Sequence, residues 1–224
     1  KLAAAVSGGQ IYTSVNSGAS WTARETARAW SGLASSADGV KLVAVVNGGQ
    51  IYTSTDSGAS WVARATARAW QAVASSADGV KLVAVVKGGQ IYTSTDSGAS
   101  WVARATARQW NSVASSSDGT LLLAADANFY GSSPGFLYTS TDSGGSWVAR
   151  ESSRTWSGVA SSADGLKLAA VVYPDGRIYT STDGGVDWLP SETAREWLDI
   201  ASSSDGLKRA AIVRLGQIYT GVST

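Results

Sequence analysis

"YTSTDSGASW", at residues 52–61, recurs without change at residues 92–101, and three near-copies and a C-terminal fragment occur elsewhere. The Trp that ends this stretch belongs to one of two Trp series, and both series step by 40, 40, 46 and 41 residues. Self-similarity at a fixed period is typical of repeat architectures, so the chain is expected to be one structural unit repeated. The two series consist of Trp21, Trp61, Trp101, Trp147 and Trp188, and of Trp30, Trp70, Trp110, Trp156 and Trp197.

A complete unit contains four short runs rich in β-branched and aromatic residues, as in "WSGLASS", "KLVAVV", "QIYTST" and "WVARAT". The segments between them carry the Gly, Asp and Asn that tight hairpins need. Four antiparallel strands in about 40 residues are typical of a propeller blade. The sequence therefore predicts an all-β fold, a β-propeller forming a single domain over residues 1–224. Its units cover residues 1–29, 30–69, 70–109, 110–155, 156–196 and 197–224.

The number of blades is left open between six and five. Residues 1–29 supply only strands two to four of a unit, and residues 197–224 supply only strands one to three. Six blades with two incomplete ones is the favoured interpretation. In the alternative, the two ends share one blade and a hairpin is left over, and an excerpt of a longer array would also explain the pattern.

The first run of each unit is expected to be the innermost strand, because a small residue follows two positions after its Trp. Gly32, Ala72, Ser112 and Gly158 occupy this position, and small side chains suit the crowded axis of a propeller. Asp199 breaks the series in the last unit.

Composition excludes several classes of partner and cofactor. Lys and Arg number 18 against 17 acidic residues, a net charge of +1, so we expect no nucleic-acid partner. The chain has no Cys and no His, and with them the commonest metal ligands and general bases are missing. We expect no cofactor and no metal site. No apolar run reaches the roughly 18 residues of a membrane span, so none is predicted.

The repeated stretch, read as Ser-x-Asp-x-Gly-x-x-Trp, resembles the Asp-box, or BNR repeat, of sialidase-like β-propellers. The resemblance covers essentially the whole chain, and one copy has Asn in place of Asp. It implies a structural turn between strands three and four, on the face away from the ligand. The predicted structural positions are Asn16, Asp56, Asp96, Asp142 and Asp183, with Trp21, Trp61, Trp101, Trp147 and Trp188.

The opposite face is the predicted binding surface, because an Arg stands two residues before each inner-strand Trp. These residues are Arg28, Arg68, Arg108, Arg154 and Arg195. Ordered guanidinium groups suit a carboxylated or sulfated ligand. In the alternative, each Arg stacks on a Trp or pairs with an acid such as Glu25, Glu151 or Glu196.

Two departures from the repeat are predicted to lie on the same face. "DANFYGSSPGF" at 126–136 lengthens one loop between strands two and three, and "YPDGR" at 173–177 lengthens the next. Loops on a rigid scaffold often carry recognition residues. The candidate residues there are Phe129, Tyr130, Tyr173, Asp175 and Arg177, and a tolerated surface insertion is the alternative.

These features favour a non-enzymatic binding or scaffold propeller, extracellular or secreted, that recognises a glycan or a protein through the Arg-bearing face. The photosystem II assembly and stability factors are similar propellers without enzymatic activity, and that resemblance implies an Arg-rich face that binds protein. One alternative is a structural subunit of an extracellular assembly or filament, a homo-oligomer formed through the incomplete terminal blades. A sialidase-like glycoside hydrolase is the third alternative. In sialidases an Arg-Ile-Pro motif precedes the first box. This chain has no such motif, so the hydrolase alternative is disfavoured.

Overall fold

The computed structural model describes residues 1–127, 135–151, 153–174 and 176–222. In these residues the regular secondary structure consists of strands alone, all paired antiparallel in the register that the repeat implies. The predicted all-β propeller fold is confirmed. The strands form a three-stranded, an eight-stranded, a four-stranded and a three-stranded sheet. The eight-stranded sheet runs through the second, third and fourth units, and the six units, in chain order, are called blades 1 to 6.

Blade 1 and blade 6 have three strands each in the described residues. Blade 1 contains β1 (Leu2–Ala5), β2 (Ile11–Ser14) and β3 (Thr22–Ala23). Blade 6 contains β16 (Trp197–Ser202), β17 (Lys208–Val213) and β18 (Ile218–Val222). The two groups are separate sheets, as the six-blade interpretation predicts.

Blades 2 to 5 have four strands each. The strands of blades 2 to 4 are β4 (Trp30–Ser35), β5 (Leu42–Ser54), β6 (Val62–Ser75), β7 (Leu82–Ser94), β8 (Val102–Ser115), β9 (Leu122–Asp126), β10 (Leu137–Ser140) and β11 (Val148–Ala149). Blade 5 contains β12 (Trp156–Ser161), β13 (Leu168–Val172), β14 (Gly176–Ser181) and β15 (Leu189–Arg195).

Four strands are longer than the repeat predicts, because the pairing continues through connections that were expected to be turns. β5 and β7 each contain strands two and three of one blade, while β6 and β8 join strand four of one blade to strand one of the next. In β5 the register shifts on either side of Gly49, and Gly48 has a φ of +74°. These bulges let the strand bend while it stays paired with β6.

The apolar core lies between the blades. Five clusters of buried side chains fill the five interfaces, and each cluster draws on two consecutive blades. Between blades 2 and 3, for example, Val43, Val45 and Ile51 pack on Trp70 and Tyr92. The inner-strand Trp is the largest buried side chain in each cluster, and burial of such a side chain contributes about 1.5–3 kcal/mol or more.

Adjacent blades are also joined by hydrogen bonds near the axis. At the hairpin between strands one and two, the backbone N–H of Ala37 donates to the carbonyl oxygen of Ala77 at 2.8 Å. The same bond recurs from Ala77 to Ser117, from Ser117 to Ala163 and from Ala163 to Ser204. A Cβ on Gly32 would lie 3.2 Å from the Cα of Ala72, so the inner strands approach closely and small residues are required there, as the sequence predicts.

Candidate binding face

The five Arg of the predicted binding surface flank the bend between strands two and three in successive blades. Arg68 pairs with Gly49, Arg108 with Gly89 and Arg195 with Gly176 in the strand register. The backbone N–H of Arg28 donates to the carbonyl oxygen of Gly9 at 3.0 Å, and that of Arg154 to Gly135 at 3.0 Å. All five therefore lie at the same end of their blades, which we call the Arg face.

Each Arg of the face lies over a Tyr ring rather than over a Trp. The distances from the Arg Cζ atom to the ring centroid are 4.5–4.8 Å in the pairs Arg28 with Tyr52, Arg68 with Tyr92, Arg108 with Tyr138, Arg154 with Tyr179 and Arg195 with Tyr219. Each Tyr in turn contacts the inner Trp edge to face, with centroids 5.1–5.4 Å apart. The Tyr of the third strand thus lies between the cation and the Trp, and such a cation–π contact contributes about 0.5–1 kcal/mol at an exposed site.

Three members of the series also form ion pairs. Arg28 pairs with Glu25 at 3.2 Å, Arg154 with Glu151 at 3.6 Å, and Arg108 with Asp126 at 3.7 Å. Arg68 and Arg195 form no ion pair with any residue that the structure describes. The three paired side chains remain 35–37% exposed, so the face is still open to a ligand.

Asp126 is a site residue that the sequence analysis did not single out. It stands where Val46, Val86 and Val172 stand in other blades, and its side chain is 8% exposed. Burial raises the pKa of its carboxyl group, while the charge of Arg108 opposes that rise. Its Oδ1 atom has no hydrogen-bond partner among the described residues. The signal was present in the sequence, since Asp replaces Val at a core position of the repeat.

The second departure from the repeat places two candidate residues on the Arg face beside blade 6. The Nη1 atom of Arg214 donates to the hydroxyl oxygen of Tyr173 at 3.3 Å, and Arg177 is exposed on β14. Arg214, which the sequence analysis did not name, adds a further cation here. Phe129, Tyr130 and Asp175 lie outside the described residues.

The repeated box on the opposite face is held together by bonds within its own turn. In the second copy, the carboxylate of Asp56 accepts from Ser54 Oγ at 2.8 Å, from the Ser60 N–H at 2.9 Å and from Ser60 Oγ at 2.5 Å. The hydroxyl of Ser54 accepts from the Gly58 N–H at 2.8 Å, and Trp61 Nε1 donates to the Gly58 carbonyl at 3.1 Å. Both carboxylate oxygens are therefore already engaged.

These bonds hold the pKa of the box carboxyl groups below its usual range. The hydroxyl and N–H groups of Ser60 lower the pKa of Asp56 to about 2, and Ser100 does the same for Asp96. The N–H and hydroxyl of Ser146 lower the pKa of Asp142 to about 2, and Ser181 lowers that of Asp183. Asn16 preserves the turn without a charge, since its Oδ1 accepts from the Ser20 N–H at 2.9 Å.

Among the described residues, no group of three or more acidic side chains converges as metal ligands would. In the same part of the chain, no helix has the length and hydropathy that crossing a bilayer requires.

Comparison with known proteins supports the propeller fold. No protein-family model matches the chain, and no curated protein sequence matches it. Among solved structures, the GH74 xyloglucanase of Xanthomonas campestris is similar with a TM-score of 0.74 and 18% identity, over 94% of this chain and 40% of that one. This chain thus spans less than half of the xyloglucanase.

Two other groups of structures have the same fold. YCF48 from Cyanidioschyzon merolae has a TM-score of 0.70 and 17% identity, over 96% of this chain and 76% of its own. A nidogen/laminin complex has a TM-score of 0.71 and 12% identity, over 96% of this chain and 86% of the matched one. At these identities the similarity extends to the fold alone, which is that of β-propellers.

Proposed function

We propose that the protein is a non-enzymatic binding or scaffold propeller that recognises an anionic group of a glycan or a protein through the Arg face. The observation that carries the proposal is the difference between the two faces. The box carboxylates of one face are engaged within their own turns, whereas the Arg face repeats a partly exposed guanidinium in five consecutive blades.

Arg68 and Arg195 are the side chains best placed to contact the ligand. Each is oriented by a Tyr ring, and neither forms an ion pair among the described residues, so no carboxylate there competes with a carboxylate or sulfate of the ligand. The Nε atom of Arg195 is buried, so its Nη groups are the donors that would meet the ligand. A guanidinium held in place by a ring loses less conformational entropy on binding than a free one. Arg177 and Arg214 extend the cationic surface towards blade 6.

The similar structures agree with this proposal, although at such low identity they support only the fold. One is described as YCF48 bound to a D1 peptide, and another as a nidogen/laminin complex. The xyloglucanase is an enzyme, but a glycosidase needs two carboxyl groups placed beside its substrate. Of the carboxyl groups near the Arg face, those of Glu25, Glu151 and Asp126 are each paired with an Arg.

We also propose that the chain belongs with the Asp-box propellers and acts outside the cell. The four complete boxes and the bonds inside them support the first assignment. The extracellular location is proposed because it follows from the glycan or protein recognition proposed above.

The test is a binding measurement on a panel of sialylated and sulfated glycans and acidic peptides, with two double variants of equal charge change. Arg68→Ala with Arg108→Ala removes two members of the Arg face. Arg64→Ala with Arg104→Ala removes two Arg that donate to Thr53 and Thr93 at 3.1 Å on the outer strands. We expect the first variant to lose at least about tenfold in affinity, since a hydrogen bond to a charged group contributes about 1.5–3 kcal/mol.

The control variant should bind as the unmodified chain does. Equal losses in the two variants would mean that net charge alone drives binding, and unchanged binding in the first variant would refute the Arg face. Thermal melting of both variants establishes that each remains folded. Turnover of a fluorogenic sialoside or xyloglucan would overturn the non-enzymatic assignment.

A further inference from the structure

The outer faces of blades 1 and 6 carry apolar side chains that the other blades bury. On blade 6, Ile218 is 72% exposed and Ile212 is 41% exposed, whereas their counterparts Ile51 and Val45 in blade 2 are both 0% exposed. On blade 1, Leu2 is 47% exposed, while its counterpart Leu42 is 5% exposed. Exposed apolar faces of this kind mark interaction surfaces.

These two faces are the two halves of the interface that joins neighbouring blades. In each internal interface, the residues at the positions of Ile218 and Ile212 pack against the next blade. The next blade contributes a residue at the position of Ala4 in every interface, and residues at the positions of Leu2 and Val6 as well between blades 2 and 3 and between blades 4 and 5. Blade 6 thus presents one half of the interface, and blade 1 presents the other.

The polar contacts between neighbouring blades also have their two partners on the outer sides of blade 6 and blade 1. In three internal interfaces, a Lys at the start of strand two donates to a box Ser of the next blade, as in Lys1 to Ser57 at 2.7 Å, Lys41 to Ser97 at 3.3 Å and Lys81 to Ser143 at 3.2 Å. Lys208 occupies the Lys position on blade 6, and Ser17 occupies the Ser position on blade 1. In blade 4 the Lys is replaced by Leu121, and the next box has Gly184 in place of Ser, so there both halves are missing together.

Shape agrees with the same pairing. At four of the five internal interfaces, the Cγ2 atom of a third-strand Thr approaches the box Gly of the next blade, so that a Cβ on Gly58 would lie 3.0 Å from Thr13, and one on Gly98 would lie 2.8 Å from Thr53. Thr220 on blade 6 and Gly18 on blade 1 hold these two positions. Among the described residues, Gly18 has no such Thr neighbour, and the nearest atom to its Cβ position belongs to Leu2.

We infer that a second copy of this chain docks on the exposed face of blade 6 with its blade 1, so that Ile218, Thr220 and Lys208 meet Leu2, Gly18 and Ser17 of the next copy. The contact is head to tail, so repeated docking produces a ring or a filament rather than a two-fold dimer. This inference is independent of the ligand proposed for the Arg face.

The chain has no Cys, so thiol cross-linking gives a direct test. Ser17→Cys with Lys208→Cys, treated with a short thiol-specific cross-linker, should yield a ladder of covalent multimers on a denaturing gel. The matched control, Lys41→Cys with Ser97→Cys, spans an interface inside the chain and should yield a cross-linked monomer. A cross-linked monomer from the first pair would mean that the ends close on each other, and no product from it would mean that they do not meet. Either result would overturn the inference.

Solution mass provides the second measurement. Sedimentation of the full 224-residue chain should show species of at least twice the mass of one chain, increasing with concentration. Ile218→Asp should restore the single-chain mass. Leu215→Asp, a similar change at a residue that is 99% exposed and outside the blade interface, should not. A concentration-independent monomer, or equal effects of the two substitutions, would contradict the docking proposed.

Discussion

At the scale of single residues, the repeated charged side chains of the two propeller faces differ in how far the fold already engages them. The box Asp accepts hydrogen bonds from a Ser before it and a Ser after it, and this closes its turn. The Arg on the other face stacks on a Tyr and leaves part of its guanidinium accessible. A side chain engaged within its own turn is poorly placed to bind a ligand, whereas a positioned and partly exposed cation is well placed to do so.

The box carboxylates should make stability dependent on acid pH. A pKa of about 2 in the folded state lies below the value of about 3.9 in an unfolded chain. The stabilisation is therefore complete above pH 4 and is lost as the pH falls through the folded-state pKa. We expect the melting temperature to fall between about pH 4 and pH 2, and a flat profile across that range would show that the boxes do not bind protons differently in the two states.

Asn16 provides a natural control for the charge of the box. Asp56→Asn should preserve the turn, because Asn16 already makes the equivalent bond to Ser20 in the first box. We expect a loss of only a few degrees in melting temperature near pH 7 and a shallower decline towards pH 2. Asp56→Ala, which removes the acceptor, should cost clearly more at pH 7. Equal melting temperatures for the two variants would contradict the role assigned to the acceptor.

At the scale of elements, each blade is stabilised mainly by its neighbours. Box Trp residues provide a matched comparison, since Trp188 is 9% exposed between blades while Trp21 is 43% exposed on the outer face of blade 1. Both residues end a box, but Trp188 packs in the cluster between blades 4 and 5, whereas Trp21 faces a side of blade 1 on which the described residues supply no further blade.

Truncation of these two side chains should therefore have unequal effects. Trp188→Ala should reduce the free energy of unfolding by about 3–5 kcal/mol, as buried aromatic residues do. Trp21→Ala should cost less than half of that amount. Urea denaturation followed by the fluorescence of the remaining Trp residues measures both. Equal losses would mean that the outer face of blade 1 is covered in solution, and repeating the measurement at low protein concentration separates this outcome from a packing role inside the blade.

Much of the fold could be predicted from the repeat, because period, strand runs and Gly-containing turns all indicate a propeller blade. Three features could not. The continuous strands β5 to β8 depend on bulges that keep the bends paired. The Tyr partner of each Arg lies on the third strand of the following blade, so the contact depends on how consecutive blades pack, which the sequence does not specify. The ion pair between Arg108 on β8 and Asp126 on the neighbouring strand β9 is revealed only by the fold.

At the scale of the whole molecule, the chain is a row of blades in which the inner ones have two neighbours and the outer ones have a single exposed side. In repeat proteins, stability is approximately a sum of unit and interface contributions, so the ends should open first. The exposed side chains Leu2, Ile218 and Val222 mark those ends.

Hydrogen exchange should show that the terminal blades open more readily than the inner ones. Amides of β7 in blade 3 should exchange at least about tenfold more slowly than those of β1 or β18, since each additional ~1.4 kcal/mol of opening free energy slows exchange tenfold. The protection of β1 and β18 should increase with protein concentration as copies dock end to end. Uniform protection at low concentration would contradict the view of the outer blades as exposed ends.

The most direct test of the central claim, that recognition lies on the Arg face and the boxes are framework, compares two double variants on the same ligand panel. Arg68→Ala with Arg108→Ala should weaken binding at least about tenfold while the fold is retained. Asp56→Asn with Asp96→Asn should bind as the unmodified chain does. Binding that survives the Arg substitutions but is lost with the Asp substitutions would place recognition on the box face and contradict the claim.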